Sequence, residues 1–355
     1  NSISWLNINY NEPYNFFVPK DFKLDKEYSA GFKITELFEL NSNGLETHKD
    51  ELTIQHKKAD LSKIVEDFVQ LSEIEIKNKY SITKEGSEWQ VGYAKKDILK
   101  FPDSITSLVY RPFDNRFTVF TPNSKGFLAR PRFNVLKHLK HPNLALLVKR
   151  QCKQNFSYAF VVKDICEACV FESAFAKNNV LPLYLYPETN AQQTIDQTTE
   201  RVPNVNMAIV NEMATKLGLE FVADHEMLKQ VQYDKYFTPL DILDYMYAVL
   251  HSPTYREKYK EFLKIDFPRV PYPKNKDTFW QLVQLGGEIR QIHLLESPVV
   301  ENYITQYPID GDNVVGKLFF EKTSETLGRV YINYDKSAAK SPSFGGVGED
   351  ELQYF

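Results

Sequence analysis

The sequence has few cysteines and no long apolar run. Its 355 residues include three cysteines. An odd, small number of cysteines in a long chain indicates a reducing compartment and no disulfide framework. No stretch approaches 18 uncharged apolar residues, so no membrane-spanning helix is predicted. The opening residues NSISWLNINY lack the basic and apolar segments of a secretory signal. We therefore expect a cytoplasmic protein that does not enter a membrane.

Sequence motifs for common catalytic sites are also missing. The chain contains no GxxxxGK[ST], GxGxxG, GxSxG or HExxH pattern, so phosphate-cradling, dinucleotide, esterase and zinc-protease sites are not indicated. Asn11-Glu12-Pro13-Tyr14 differs by one letter from the Asn-Pro-Pro-Tyr motif with which amino-group DNA methyltransferases hold a flipped base. Glu12 breaks the rigid double proline, and no glycine-rich cofactor loop accompanies the motif. We interpret it as a turn and predict no catalytic residue in this chain.

A metal site is considered and not favoured. Cys166 and Cys169 form a C-x-x-C pair, and with Cys152 and His141 upstream they could supply four zinc ligands. The spacing is irregular and no second C-x-x-C is present, which favours small buried thiols instead. We therefore expect no metal ion.

Positive charge is concentrated in one part of an otherwise acidic chain. The formal net charge is −4, yet residues 110–153 contain ten basic residues and one acid, Asp114, which is a local charge of +9. Phe, Leu and Val are interspersed among these charges, unlike in a disordered basic tail. Such a stretch is typical of a surface that binds a polyanion, although a solvated basic face remains the simpler alternative. The basic residues are Arg111, Arg116, Lys125, Arg130, Arg132, Lys137, Lys140, Lys149, Arg150 and Lys153.

Local patterns predict a mixed α+β fold, with a β-rich recognition region and an appended helical segment. The stretch around YRPFDNRF predicts two strands, 105–110 and 117–121, joined by a turn. Thr238, Pro239 and Asp241 together form a helix start signal. Further helices are predicted over 60–78, 205–218, 253–264 and 276–296, and strands over 143–150, 157–164, 180–188 and 312–334.

The same patterns divide the chain into four regions. We expect a β-rich recognition region over 1–187, in which residues 1–58 are β-rich and irregular. Residues 188–204 are almost free of apolar side chains and predict a linker or long loop. A helical segment over 205–300 and a short, truncated β tail over 301–355 complete the division.

Five stretches occur in an order that resembles a known family. They are GLETHKDEL (44–52), VYRPFDNRFTVFT (109–121), ARPRFNVLKHL (129–139), PLYLYPE (182–188) and FTPLDILDYMYAVLHSPTYREKYKEFLKIDFPRVP (237–271). The chain is similar to the C-terminal target recognition (specificity) region of type ISP restriction–modification enzymes and related adenine-specific DNA methyltransferases. The resemblance covers most of residues 10–350, and the stretch 237–271 is its most specific part.

The resemblance implies a role within a larger polypeptide. Members of this family combine a nuclease, a helicase-like translocase and an N6-adenine methyltransferase with a target recognition domain, and they defend bacteria against phage. This chain would then be the recognition domain, a monomer that binds double-stranded DNA and the methyltransferase domain of the same polypeptide. It would need no cofactor itself, whereas the parent polypeptide would use S-adenosylmethionine, ATP and Mg²⁺.

Recognition of DNA needs cations for phosphates and forked side chains for base edges. We predict that turn geometry depends on Gly44 and on an ion pair between Arg111 and Asp114. Thr47 and Lys49 match a Gly–x–x–Thr turn that opens many methyltransferase specificity domains, and a plain turn is the alternative. The predicted DNA contacts are Arg116, Lys125, Arg130, Arg132, Lys149, Arg150, Gln151, Thr47 and Lys49.

Two other classes of function stay open on the sequence. The basic face could dock an acidic protein, in which case the chain would be an interaction scaffold. Alternatively, the chain could retain methyltransferase activity through its NEPY motif or through another site, and it would then bind S-adenosylmethionine tightly.

Overall fold

The computed structural model describes residues 22–171, 176–187, 201–223, 235–303, 305–306, 319–322, 324, 328–331 and 351–354. Contacts divide the chain into two compact units, 1–294 and 295–355. Helices and short, mostly antiparallel sheets alternate along the described residues, which confirms the mixed α+β class. The finer division with a linker at 188–204 stays a prediction, because residues 188–200 lie outside the described part, as does the NEPY motif.

The helices of the described residues are mostly short. They are α1 (Phe22–Ser29), α2 (Ile34–Leu37), α3 (Asp50–Thr53), α4 (Lys58–Gln70), α5 (Glu73–Lys79), α6 (Val91–Lys100), α7 (Phe133–Leu136), α8 (Met207–Leu217), α9 (Pro239–His251), α10 (Pro253–Lys258), α11 (Lys260–Leu263) and α12 (Lys276–His293). In the same part of the chain, 3-10 helices cover Lys137–Lys140 and Pro298–Glu301.

The strands of the first unit are β1 (Phe32–Lys33), β2 (Ser42–Asn43), β3 (Ile105–Arg111), β4 (Asp114–Val119), β5 (Ala145–Lys149), β6 (Ala159–Val162), β7 (Asn178–Pro182), β8 (Tyr184–Leu185), β9 (Val202–Pro203), β10 (Glu220–Phe221), β11 (Tyr236–Phe237) and β12 (Arg269–Val270). Strands β3 and β4 form a hairpin, and β1–β12, β8–β9 and β10–β11 are two-stranded pairs. The second unit contains β13 (Thr305–Gln306), β14 (Phe319–Lys322), β15 (Gly328–Tyr331) and β16 (Glu351–Tyr354), paired in the order β13-β16-β15-β14.

A four-stranded antiparallel sheet, in the order β2-β7-β5-β6, separates two hydrophobic cores of the first unit. On strand β5, Leu146 and Val148 face one core, whereas Ala145 and Leu147 face the other, as the two-residue period of a strand requires. Helices α8, α9 and α12 pack in the first core, and α4, α6 and the β3–β4 hairpin contribute to the second. Because β5 lies between two cores, all five of its residues are buried.

Local signals set several helix boundaries as predicted. The Thr238 side chain accepts a hydrogen bond from the Asp241 backbone N–H, and the Asp241 side chain accepts from the Thr238 N–H, while Pro239 fills the first helical position. Helix α8 ends before Gly218, whose φ of 63° places it in the left-handed region. The predicted helices around 205–218, 238–250 and 276–296 and the hairpin at 105–121 are therefore confirmed.

Three local predictions are wrong, one of them the helix over 253–264, which divides into α10 and α11. The described part of residues 1–58 contains more helix than strand, with α1, α2 and α3 beside strands of two residues. The helix predicted over 60–78 is two helices, because Ser72 caps a new one. The Ser72 hydroxyl oxygen accepts a hydrogen bond from the Glu75 backbone N–H, and the Glu75 carboxylate accepts from the Ser72 N–H. This reciprocal capping box starts α5 three residues after α4 ends.

Helices α9 and α12 form a close pair joined by a buried ion pair. The Asp244 carboxylate on α9 accepts hydrogen bonds from Arg290 Nε (2.6 Å) and Nη2 (3.0 Å) on α12. Gly286 allows the approach, because a Cβ at this position would lie 1.8 Å from the Asp244 carbonyl oxygen. The two-pronged pairing satisfies a carboxylate that the packing of the helices removes from water.

The same helix pair holds an imidazole that resists protonation. Burial lowers the pKa of His251 to about 4, and the neighbouring charges of Arg256 and His293 act in the same direction. The His251 Nδ1–H donates to the Tyr247 carbonyl oxygen at 2.9 Å, which opposes the shift without cancelling it.

We predict that the free energy of unfolding falls as pH is lowered from about 6.5 to about 4, the interval between the ordinary and folded pKa values of His251. In that interval the His251 imidazole is protonated in the unfolded chain but stays neutral in the folded chain, so protonation favours unfolding. Urea unfolding of the wild type and of His251→Gln across this range tests the prediction, with the exposed His56→Gln as the matched control. An unchanged pH slope in His251→Gln would contradict it.

Candidate functional site

The tip of the β3–β4 hairpin is organised around one tyrosine. Two guanidinium groups contact the Tyr110 ring, with the Cζ atoms of Arg111 and Arg116 3.9 Å and 4.1 Å from the ring centroid. The Tyr110 hydroxyl donates to the Asp50 carboxylate at 3.0 Å. Phe113, at φ 64°, places its ring edge against Phe160 at 5.4 Å between centroids. The hairpin tip is therefore packed and hydrogen-bonded to the rest of the first unit.

The predicted ion pair between Arg111 and Asp114 is wrong. Asp114 accepts from Arg116 instead, through Nε at 3.0 Å and Nη2 at 2.7 Å. These two residues are two positions apart on β4 and so project from the same face of the strand. Arg111 Nη1 donates to the buried Glu167 carboxylate at 2.9 Å. Asp114 does brace the turn, but its partner is the arginine that we predicted to contact DNA.

The GLETHKDEL stretch forms a strand-like segment followed by a tight turn into α3. The Thr47 hydroxyl donates to the Asp50 carboxylate and accepts from the Lys49 backbone N–H. His48, at the corner, has a φ of 60°. Thr47 is 2% exposed, so its hydroxyl serves the turn rather than the surface.

Gly44 is required by a close approach, not by a turn. A Cβ at residue 44 would lie 2.4 Å from the Glu167 carbonyl oxygen and 2.7 Å from the Ala168 nitrogen. The chain there pairs with residues 166–168, since the Leu45 N–H donates to the Cys166 carbonyl and the Ala168 N–H to the Leu45 carbonyl, both at 2.9 Å. This backbone contact fixes the position of the next residue, Glu46.

Glu46 is the centre of a group of charged side chains, of which the sequence analysis predicted only Arg130 and Arg132 as functional residues. We call Glu46, Glu88, Arg130, Arg132 and Lys177 the Glu46 cluster. The Glu46 carboxylate contacts Lys177 Nζ at 2.6 Å, Arg132 Nη2 at 2.9 Å and Arg130 Nη1 at 3.5 Å. Arg130 Nε also lies 3.1 Å from the Glu88 carboxylate. Glu46 and Arg130 exchange two backbone hydrogen bonds of 2.9 Å, which fixes their relative register.

The electrostatics of the Glu46 cluster favour a permanent negative charge at its centre. Burial alone would raise the pKa of Glu46, but hydrogen bonds from Lys177 and Arg132 and the charge of Arg130 hold it at about 2. Glu46 is therefore ionised at any ordinary pH and keeps attracting the three cations.

A cavity of about 550 Å³, here called the arginine cavity, opens beside this cluster. Lys125, Arg130 and Arg132 line it together with Glu88 and Phe133. Lys125 and Arg132 adopt φ values of 57° and 53°, in the left-handed region that L-residues rarely occupy. Arg132 Nε is buried without a hydrogen-bond partner. Strained backbone and an unsatisfied charged donor at one cavity are typical of a ligand-binding site.

The other predicted contact residues lie apart from this cavity or inside the fold. Lys49 lines a separate cavity of about 600 Å³ with His48, Asp50 and Tyr80. Arg150 Nε contacts the Asp266 carboxylate at 3.0 Å, and Gln151 Nε2 donates to the Ile265 carbonyl at 3.3 Å. Lys149 is fully buried in β5, where its Nζ lies 4.8 Å from the Tyr158 ring centroid. A buried ammonium presents no charge to a partner at the surface, so Lys149 is withdrawn from the predicted contacts.

Metal-ligating groups and membrane-spanning helices were sought in the described ranges. Cys152 and Cys166 are buried, and His141 stacks on Tyr186 with 4.5 Å between ring centroids. Within these ranges, no group of three or more His, Cys, Asp or Glu side chains is arranged to hold a metal ion. Of the helices that the structure describes, none has the length and apolar character to cross a bilayer.

The family model of the type ISP C-terminal specificity domain matches residues 36–346. No curated protein matches the chain in sequence. Among solved structures, the ATP-dependent type ISP restriction–modification enzyme LlaBIII bound to DNA is similar, with a TM-score of 0.57 and 18% identity over 98% of this chain and 21% of its own.

Two further structures have similar folds. A DrdV–DNA complex matches with a TM-score of 0.59 and 19% identity, over 88% of this chain and 30% of its own. A nuclease-deletion mutant of the type ISP enzyme LlaGI, in complex with a DNA substrate mimic, matches with a TM-score of 0.53 and 18% identity, over 99% of this chain and 30% of its own. The chain thus spans less than a third of the length of each of these proteins.

Proposed function

The chain belongs to the family of type ISP C-terminal specificity domains, and from this premise we propose that it recognises a specific sequence in double-stranded DNA. The Glu46 cluster at the arginine cavity is the observation that supports the proposal most directly. Arg130 and Arg132, with side chains 40% and 34% exposed, lie side by side on one surface together with the exposed Lys125. Adjacent guanidinium forks on a rigid support suit phosphate oxygens and guanine edges.

The proposal extends to the polypeptide of which such a domain is part. Three structures with this fold are DNA complexes of proteins more than three times as long as the matched segment. We propose that this chain likewise serves a longer restriction–modification polypeptide with N6-adenine methyltransferase and nuclease activities. That polypeptide would use S-adenosylmethionine, ATP and Mg²⁺, whereas this chain is non-catalytic alone. It would act as a monomer that docks on the methyltransferase domain of its own polypeptide.

Reversing the charge of Arg130 and Arg132 together is expected to weaken duplex binding about 100-fold at 0.1 M salt. Two phosphate contacts are lost and two repulsions are introduced, so the slope of log affinity against log salt falls by about 2. The variant Arg130→Glu/Arg132→Glu is compared with the wild-type chain by fluorescence anisotropy on a labelled duplex across a salt series.

A matched control makes the same change of net charge elsewhere. Lys216 on α8 and Lys260 on α11 are surface lysines on helices that pack in the first core, whereas Leu45, next to Glu46, belongs to the second core. Lys216→Glu/Lys260→Glu should lower affinity only a few-fold, through long-range repulsion. Equal losses in the two double variants, or a wild-type affinity that does not respond to salt, would refute DNA recognition by this surface. Binding of an acidic protein in place of duplex would favour the interaction-scaffold alternative.

A further inference from the structure

Glu46 has more cationic partners than one carboxylate can neutralise. Three cations contact it, and Glu88 contributes one further acid, so the Glu46 cluster keeps a net positive charge. The Glu46 side chain is 8% exposed, whereas Arg130 and Lys177 are each 40% exposed. The negative charge therefore lies beneath a layer of positive charge that faces the surface.

The cations keep donors for a further ligand. Arg132 uses Nη2 for Glu46, while its Nε is buried and has no partner. A guanidinium has five N–H donors, and leaving one of them buried and unsatisfied is unfavourable, because that N–H has lost its hydrogen bond to water. An acceptor group that drew this guanidinium slightly toward the arginine cavity would satisfy it. The arginine cavity beside Arg132 provides the space for such a group.

The backbone holds this arrangement at a cost in conformational energy. Arg132 and Lys125 both line the arginine cavity, and both occupy the left-handed region. This conformation is unfavourable for any residue with a Cβ, because the Cβ lies too close to the following carbonyl oxygen. The double backbone pairing of Glu46 with Arg130 and the burial of Glu46 keep the segment in place. The side chains are thus ordered before any partner arrives.

We propose that the Glu46 cluster is a preassembled site for one backbone phosphate of the bound duplex, in which Glu46 is a positioning residue. Arg130 and Arg132 donate to the phosphate oxygens at the mouth of the arginine cavity, and Lys177 adds positive charge from the side. This inference rests on the proposed function. Preassembly matters because long cationic side chains otherwise lose rotamer freedom on binding, which weakens association.

A positioning role for Glu46 and simple charge counting predict opposite changes in duplex affinity when Glu46 is neutralised. Removing a negative charge from a surface that binds a polyanion should tighten binding, because repulsion is relieved. If Glu46 positions the arginines, Glu46→Gln should instead weaken duplex binding about tenfold, since the cations lose the charge that orders them. The salt slope should also fall by roughly 1 as one phosphate contact is lost.

The matched control is Glu51→Gln, an exposed residue on α3 whose replacement changes the charge by the same amount. It should leave affinity unchanged or slightly higher. Weaker binding by Glu46→Gln alone supports the inference, whereas equal or tighter binding overturns it. If Glu46→Gln melts below the assay temperature, Lys177→Met takes its place. A loss of affinity of about threefold or more then supports the inference, and an unchanged affinity overturns it.

A second arm uses inorganic phosphate and needs no DNA. Phosphate at millimolar concentration should raise the melting temperature of the wild-type chain more than chloride at equal ionic strength does, and it should not do so for Arg132→Met. If the wild type binds no duplex but shows this specific effect, the proposed function fails and the anion site stands. If phosphate and chloride act alike on both proteins, the site is overturned even where duplex binding persists.

Discussion

Replacing Asp244 with Ala is expected to lower the free energy of unfolding by about 4 kcal/mol. Asp244 on α9 is 5% exposed and receives two hydrogen bonds from Arg290 on α12. The Arg290 side chain is 11% exposed, so removal of the carboxylate leaves a nearly buried guanidinium without its counter-charge. An uncompensated charge between two packed helices is far more costly than the loss of a surface ion pair.

A double-variant cycle measured by urea unfolding tests this explanation. Asp244→Ala/Arg290→Met removes both charges, so it should be more stable than Asp244→Ala even though it carries one more substitution. If the losses of stability in Asp244→Ala and Arg290→Met simply add in the double variant, lost packing accounts for the destabilisation, and an unpaired buried charge does not. Tm should follow the same order.

Replacing Gly44 with Ala is expected to destabilise the first unit by about 3 kcal/mol, the upper part of the usual range for overpacking. The added methyl group would meet backbone atoms of Glu167 and Ala168 at 2.4 Å to 2.7 Å, so no side-chain rotation relieves the overlap. The strand-like segment at Leu45 must then separate from its partner. Because Glu46 follows directly, duplex affinity should fall together with stability.

Gly86→Ala is the control for this substitution, because a Cβ at residue 86 has no atom within 4 Å. It should change the free energy of unfolding by less than about 0.5 kcal/mol. Thermal and urea unfolding of both variants give the comparison, and anisotropy gives the affinities. A Gly44→Ala variant with wild-type stability would contradict the close backbone approach.

Features that depend on neighbouring residues were predictable from the sequence. The start of α9 follows from Thr238, Pro239 and Asp241, and the β3–β4 hairpin follows from two strand-forming stretches around a turn. The capping box at Ser72 and Glu75 was also readable in the sequence, as a Ser followed three positions later by a Glu. The helical period across 60–78 concealed that boundary, since apolar spacing alone does not show where one helix ends.

Features that depend on distant residues were not predictable in the same way. Lys149 follows a run of apolar residues, but its burial comes from the position of β5 between two cores. The partner of Asp114 could have been found, because Arg116 is two residues away on one strand face. Glu46 and Lys177 lie outside the basic stretch, so a count of local charge did not reveal them.

The Glu46 cluster joins four segments of the chain that are far apart in sequence, around residues 46, 88, 130–132 and 177. The contiguous basic stretch 110–153 is the obvious segment to transplant as a cassette when target specificity is exchanged between related domains. Transplanted alone, that cassette would bring Arg130 and Arg132 into a recipient without the acid and lysine that orient them. Portability therefore belongs to the four segments as a set, and chimeras that divide them should lose affinity before they change specificity.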